Sequence, residues 1–376
     1  MTLKAIFALT IMLPALVFAQ AGVPEDGLPD YHERALYTII NASRMSPAEF
    51  GDRYITSGGN PLSSYPRVAP IVMHHDLNRA ARYHADDMMA CGKLSHNSCD
   101  GTSARDRVRS FYGSYSAECV AVGQRTPMSV MVDAWLLSDR GHRDAIMNGS
   151  YLMIGCGHAG TKTHWWVLDF ATRGSRPENP VYGASHLLLS GNSTTFWLNY
   201  YAGSQQMPQR VDAIVAGTRV PLEKLFHDRP EGTYGASVPR SSTCRQYWFE
   251  LTDTEGTTWR YPEQGAFVTF GEGDCENNYS DKAEVFSFLP HRQPQRGMGS
   301  ARILRSGNRL LLDGVDFTHI RAAQLLLPSG RLLCTFSPHS GTALSPALPA
   351  RGIAYLRLLD GRMNGKTAPV ILGRGR

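Results

Sequence analysis

The sequence predicts an α/β fold: a layered domain of helices and a few strands in the N-terminal half, then β-rich modules. Three observations predict it. Apolar residues recur at helical spacing in several segments up to Met147 and then give way to two strand-like runs, the pattern of a layered α/β domain. From about Ser185 the helical period disappears, and aromatic and β-branched residues alternate with polar ones. Turns rich in Gly, Pro and Asp divide short strands from there to the C-terminus.

The elements follow in order. Met1-Thr2-Leu3-Lys4 carries one positive charge, Ala5 to Phe18 is apolar apart from Thr10, and Ala19 and Ala21 are small. That is the build of a secretory signal peptide over residues 1–21. Its apolar run is shorter than the roughly 20 residues a membrane span needs, and no later segment is apolar enough to span. The mature chain is expected to be secreted or at the cell surface, with no integral membrane segment. Tyr31 to Ser43 sets Leu36, Ile39 and Ile40 on one helical face. Leu77, Ala80, Ala81, His84 and Met88 repeat that stripe behind Asp76, the expected N-cap. Val130, Met131, Ala134 and Trp135 mark a third helix, and a short fourth runs from Arg140 to Met147 before the Asn148-Gly149 turn. Strands are expected at Tyr151–Gly155 and His164–Phe170, closing a first domain of residues 31–175. Tyr247–Leu251, Trp259–Tyr261 and Ala266–Phe270 resemble the closing strands of an immunoglobulin- or fibronectin-like β-sandwich over residues 185–288. Residues 289–300 read as a linker, and residues 301–376 as a second β-rich domain.

Composition narrows the function classes. The net charge of +5 is spread along the chain without a dense Lys/Arg block, so no nucleic-acid partner is expected. No His-Glu-x-x-His, phosphate loop or dinucleotide fingerprint is present, and no Gly-x-Ser-x-Gly elbow. Nothing in the sequence points to a nucleotide or redox cofactor. The seven cysteines belong to an exported chain, where pairs persist. Four of them, Cys91, Cys99, Cys119 and Cys156, lie in the first half and allow three connectivities. The expected pairs are Cys91–Cys99, Cys119–Cys156 and Cys244–Cys275, with Cys334 a buried free thiol.

Taken in order, the motifs of the first half resemble those of the CAP superfamily, named for cysteine-rich secretory proteins, antigen 5 and pathogenesis-related proteins, and its bacterial SCP-like branch above all. The matching pieces are Ile40-Asn41-Ala42-Ser43-Arg44, His84-Ala85-Asp86-Asp87-Met88, Leu94-Ser95-His96, Ala104-Arg105-Asp106-Arg107, Ala117-Glu118, Trp135-Leu136-Leu137-Ser138, Gly141-His142-Arg143, Ile154-Gly155-Cys156-Gly157 and Trp165 through Phe170. The resemblance implies an α-β-α sandwich with a surface cleft lined by His96, Glu118 and His142, which in some members holds zinc or another divalent ion. The tail from Arg302 is similar to the C-terminal sorting domains of the type IX secretion route, at Leu326 through Arg331, Gly352 through Leu358 and Lys366. The same turns and strands equally suit an ordinary accessory β-domain.

The physical reading of the cleft leaves three roles open. Two imidazoles and a carboxylate can hold a divalent cation with one position left for water, so His96, Glu118 and His142 are candidate metal ligands, with Zn2+ as the natural ion. The same three are candidate catalytic residues, one His as base and Glu118 orienting it. They also suit a purely structural polar network. The chain departs from the family pattern where Ser138 replaces a second Glu, Cys119 an Asn, and Trp166-Val167-Leu168 a Tyr-Thr-Gln strand. These departures favour a binding cleft for a metal, small molecule, glycan or peptide over a metal-assisted hydrolase of peptide or cell-wall material. A surface adhesion protein with a vestigial cleft is the third reading.

Overall fold

The computed structural model describes residues 20–25, 28–203, 206–226, 229–273 and 279–280, and the strands between 302 and 372. The core of the signal peptide, the 289–300 linker and Cys275 lie outside the described residues. Chain contacts divide the molecule into two compact units, residues 1–287 and 288–376. The fold is α/β followed by β-rich modules, as the periodicities predicted.

In the first unit, helices α1 (Tyr31–Met45), α2 (Pro47–Tyr54), α3 (His75–Cys91) and α4 (Ala104–Tyr112) surround a sheet of β1 (Val72–Met73), β2 (Ala117–Val122), β3 (Met153–Ala159) and β4 (Trp165–Ala171). The sheet order is β1-β3-β4-β2, with β1 parallel to β3 and the other pairs antiparallel. α5 (Pro127–Ser129) continues as a π-helical turn over Val130–Leu136, where a regular helix was expected, and α6 (His142–Ile146) follows. α3 begins behind His74, whose Nδ1 accepts the Asp76 amide at 3.2 Å, so His74 takes the capping role expected of Asp76.

Opposite faces of the sheet pack on different helices. Val120 and Val167 meet Ala81, Ala85 and Met88 of α3, while Cys119, Leu168 and Cys156 face the cluster built on α1. Gly155 and Gly157 let α3 sit directly on β3, because a Cβ at either would overlap the Leu77 or Ala81 carbonyl. α1 is buried all round, and its second face explains why. Along that face Tyr31 stacks on His186 at 4.5 Å, Arg34 lies 4.2 Å from the Phe267 ring centre, and Thr38 and Asn41 bond to Asn199 and Tyr182. Those partners belong to, or flank, a β-sandwich with sheets β5-β6-β10-β9 and β14-β13-β11-β7-β8, β12 pairing with β11. Its strands are β5 (Val181–Leu187), β6 (Ser193–Tyr200), β7 (Arg210–Val215), β8 (Thr218–Pro221), β9 (Glu223–Lys224), β10 (Gly232–Pro239), β11 (Gln246–Thr252), β12 (Thr258–Tyr261), β13 (Ala266–Val268) and β14 (Tyr279–Ser280). The sandwich has its own core around Phe196, Tyr247 and Phe249, yet Leu187, Trp197 and Phe226 join the core of the helical layer. The two regions therefore share one hydrophobic core.

The second unit consists of antiparallel strands: β15 (Arg302–Ser306), β16 (Arg309–Asp313), β17 (Ile320–Leu326), β18 (Leu332–Phe336), β19 (Thr342–Leu344), β20 (Gly352–Asp360) and β21 (Gly365–Leu372). They form sheets in the orders β15-β16-β19 and β18-β17-β20-β21. Among the described residues no helix is long and apolar enough to cross a membrane.

Two of the three expected cysteine pairings fall on described residues, and one of them forms. Cys91 and Cys99 are joined, with Cα atoms 6.4 Å apart. Cys119 and Cys156 are buried free thiols, which corrects the expected pair. Both sit opposite Leu168, one on each side of β4. Two strand spacings of about 4.8 Å separate them, beyond the ~7 Å Cα limit for a disulfide. Cys244 is disulfide-bonded, while Cys275 and the Cys334 side chain lie outside the described residues.

Candidate metal or ligand cleft

Glu118 is the centre of the predicted site. It stands on β2 with a fully buried side chain and is held from two sides. His96 Nδ1 lies 2.8 Å from its Oε1, and the Arg107 guanidinium pairs with its Oε2. Arg107, on α4, also donates to the His96 carbonyl at 3.1 Å and to Ser98 Oγ at 3.0 Å, so one cation fixes the carboxylate and the loop that carries His96. Two further ties hold that loop. His84 Nε2 lies 2.8 Å from the Ser95 carbonyl, and the Cys91–Cys99 bridge closes the segment. His84 is fully buried, the packing role its place on the apolar stripe suggested.

His96 itself is 56% exposed, so its ring reaches from a buried carboxylate to the surface. The hydrogen bond to Glu118 raises its pKa above the ordinary histidine value, against the opposing effect of burial. His142 opens α6, and its Nδ1 lies 3.1 Å from Ser138 Oγ. Burial lowers its pKa, with the charges of His96 and Arg140 adding to the effect. Ser138 Oγ also accepts the Arg140 amide at 3.1 Å.

Both imidazoles thus engage a neighbour through Nδ1, which leaves Nε2 as the available ligand atom on each. That chemistry fits a divalent cation through His96 and His142. Both oxygens of Glu118 are taken by His96 and Arg107, so it fits the orienting carboxylate behind a ligating histidine and not a direct ligand. The three residues do not bring their ligand atoms together as tightly as another group does. Among the described residues, the histidine and acid cluster whose candidate ligand atoms all lie within 4.8 Å of one another is His32, His158 and His164.

Sequence reasoning gave no role to Asp169 or Arg107. Asp169 pairs across β2 and β4 with Glu118 and is fully buried. Burial and the neighbouring Glu118 charge push its carboxyl well above the usual carboxylate range. The signal was a single acid in the otherwise apolar run Trp165 through Phe170. Arg107 had a weaker one, a basic residue on the buried face of a short helix. Trp135, Trp165 and Trp166 are core residues.

Comparison with known proteins finds a match over part of the first unit. Residues 39–170 match the family model described as the cysteine-rich secretory protein family, CAP. This segment is similar to a CAP domain. An uncharacterised Bacillus subtilis protein, YkwD, is 35% identical over 100 residues, 26% of this chain, and the match spans 38% of that relative's length. Among solved structures, an outer surface protein from Borrelia burgdorferi is 18% identical with a TM-score of 0.27, covering 37% of this chain and 91% of its own. An extracellular SCP-domain protein from Bacillus anthracis is 17% identical with a TM-score of 0.27, covering 38% of this chain and 40% of its own. The matched segment runs from within α1 into β4, includes His96, Glu118 and His142, and leaves the sandwich and the second unit outside it.

Proposed function

We propose that this is an exported binding protein whose CAP cleft takes a divalent metal ion, or a small ligand, between His96 and His142. The observation that carries the reading is the clamp on Glu118. A carboxylate removed from water is costly unless it is paired, and here the pairing leaves one imidazole oriented outward with its Nε2 presented. A bound ion would supply a Lewis-acidic centre with positions open to water. The chain's own residues would do the rest: Glu118 fixes the ring of His96, Arg107 holds Glu118, and Ser138 orients His142. A signal peptide fits export, and the second β-rich unit fits a sorting or surface-attachment module of the type IX kind.

Calorimetric zinc titration of the full mature chain tests the reading, with His96→Ala and His142→Ala beside it. The expected result is micromolar binding in the native chain and loss of that event in both variants, with circular dichroism unchanged. A binding isotherm indifferent to both substitutions would sink the metal reading.

A further inference from the structure

We infer that His32, His158 and His164 form a second divalent transition-metal site, separate from the CAP cleft and closed around the N-terminus of α1. His32 lies in the first turn of α1, His158 on β3, and His164 one residue before β4. The turn through Gly160, at φ +87°, brings His158 and His164 face to face, their ring centres 5.2 Å apart. Nε2 of His158 and Nδ1 of His164 are 2.9 Å apart, and the His32 ring stacks on His158 at 4.1 Å between centres. Candidate ligand atoms from all three lie within 4.8 Å of one another.

Four properties make this a ligand set. The first is a built outer shell. Asp30 Oδ2 lies 3.4 Å from Nδ1 of His158 and is itself fixed by Arg82 at 3.0 Å, while Asp30 Oδ1 accepts the Glu33 amide at 2.9 Å. A carboxylate behind the far nitrogen of a ligating histidine sets its tautomer and orientation. With the His158 proton on Nδ1, its Nε2 lone pair points to the centre of the cluster. The second is burial. His158 is buried, and His32 and His164 are partly buried, so the three rings are shielded from bulk water. The third is the wall. Trp166 lies 4.4 Å from His158 and Phe270 4.9 Å from His32, ring centre to ring centre. The fourth is access. His32 also lines a cavity of about 60 Å³ bounded by Met128, Leu188 and Phe270, room for a few waters.

The proton balance is simple. With the His158 proton on Nδ1, the hydrogen bond to its Nε2 comes from His164 Nδ1, and that proton moves to the other nitrogen of the His164 ring when the ion enters. Two nitrogens on one tetrahedral zinc stand roughly 3.3 Å apart, so the rings part by a few tenths of an ångström. Imidazole donors suit Zn2+, Co2+, Ni2+ or Cu2+ and not Mg2+ or Ca2+. Arg82 and Arg125 offset the Asp30 and Glu33 carboxylates, so attraction comes from the imidazole bonds and not from the surrounding field. An ion here would tie α1 to the β3–β4 hairpin, beside Phe270 of the sandwich.

The test uses the full mature chain without a polyhistidine tag. Co2+ and Zn2+ titrations of the native chain are set against His32→Gln and His164→Gln, both partly exposed positions, with His96→Ala and His142→Ala measured in parallel. The expected result is one tetrahedral cobalt spectrum that survives His96→Ala and His142→Ala and weakens by about tenfold or more in either His32→Gln or His164→Gln. Cobalt and zinc affinities that are unchanged in folded His32→Gln and His164→Gln would overturn the inference. Crystals of the native chain grown with zinc decide it without any variant. Anomalous density among the three rings supports the site, and its absence there overturns it, whatever is seen at His96.

Discussion

At the scale of single residues, the account depends on which nitrogen and which oxygen each side chain commits. Glu118 raises the His96 pKa, so Glu118→Gln should bring it back toward the ordinary histidine value of 6.5, read by NMR titration of the ring. The sign follows: the His96–Glu118 pair stabilises the fold fully below pH 6.5, and that contribution is lost as pH rises through the raised folded pKa. An unmoved His96 titration in Glu118→Gln would contradict the pairing. The free thiols give a second check. Alkylation of the denatured, unreduced chain should label Cys119 and Cys156 and leave the Cys91–Cys99 peptide linked. Burial pushes both thiols well above their ordinary range, so neither should react in the native protein. His96, Glu118 and His142 were legible as motif residues. Which of them ligates and which orients was not, because that depends on Arg107, a residue on another element. The His32, His158 and His164 group was less legible still: two of its members are joined by a hairpin, but the third lies on the opening helix.

At the scale of elements, periodicity marked the helices whose buried face is a stripe. It gave no warning that α1 is covered on both faces, since Arg34, Thr38 and Asn41 read as a polar side until Phe267, Asn199 and Tyr182 are seen against them. It also gave no single face to α2 or α4, which are short and carry few buried residues. The Cys119–Cys156 expectation failed for a related reason: sheet order, which places β4 between β2 and β3, is not written in strand patterns. Close contact between α3 and β3 depends on Gly155 and Gly157. Gly157→Ala should cost about 3 kcal/mol through overpacking against the Ala81 carbonyl, measured by urea denaturation. In the sandwich, buried Glu272 accepts from Arg245 Nε at 2.8 Å and from the Ser241 amide at 3.1 Å. Burial opposes its ionisation, but the bonds from Arg245, Thr194 and Ser241 outweigh it and hold the pKa near about 2. The stability it contributes is complete above the ordinary value of 4.5 and is lost as pH falls toward about 2. Glu272→Gln should remove about 3 kcal/mol at neutral pH, the scale of a broken interior ion pair, and flatten that acid limb. An acid limb identical to the native one would contradict the assignment.

At the scale of the whole molecule, the CAP domain and the sandwich share α1 and a common core. A chain ending at Ser175 would strip Tyr31, Arg34, Thr38 and Asn41 of their partners in the sandwich and should not fold cooperatively, whereas one ending at Ser287 should unfold in a single transition. Circular dichroism on the two truncations distinguishes these outcomes, and a stable, cooperative 20–175 fragment would contradict the shared core. The composition shift near Ser185 was visible in the sequence, but it marks a change of secondary structure and not a boundary between cores. The central claim remains chemical: in the proposed site, His96 and His142 would ligate through Nε2. Imidazole nitrogen NMR of the native full chain during zinc addition tests it most directly. The account predicts that the Nε2 signals of both rings shift together while their Nδ1 signals keep their hydrogen-bonded character. Zinc that leaves both rings unmoved, or that binds through Nδ1 at the expense of Glu118, would contradict it.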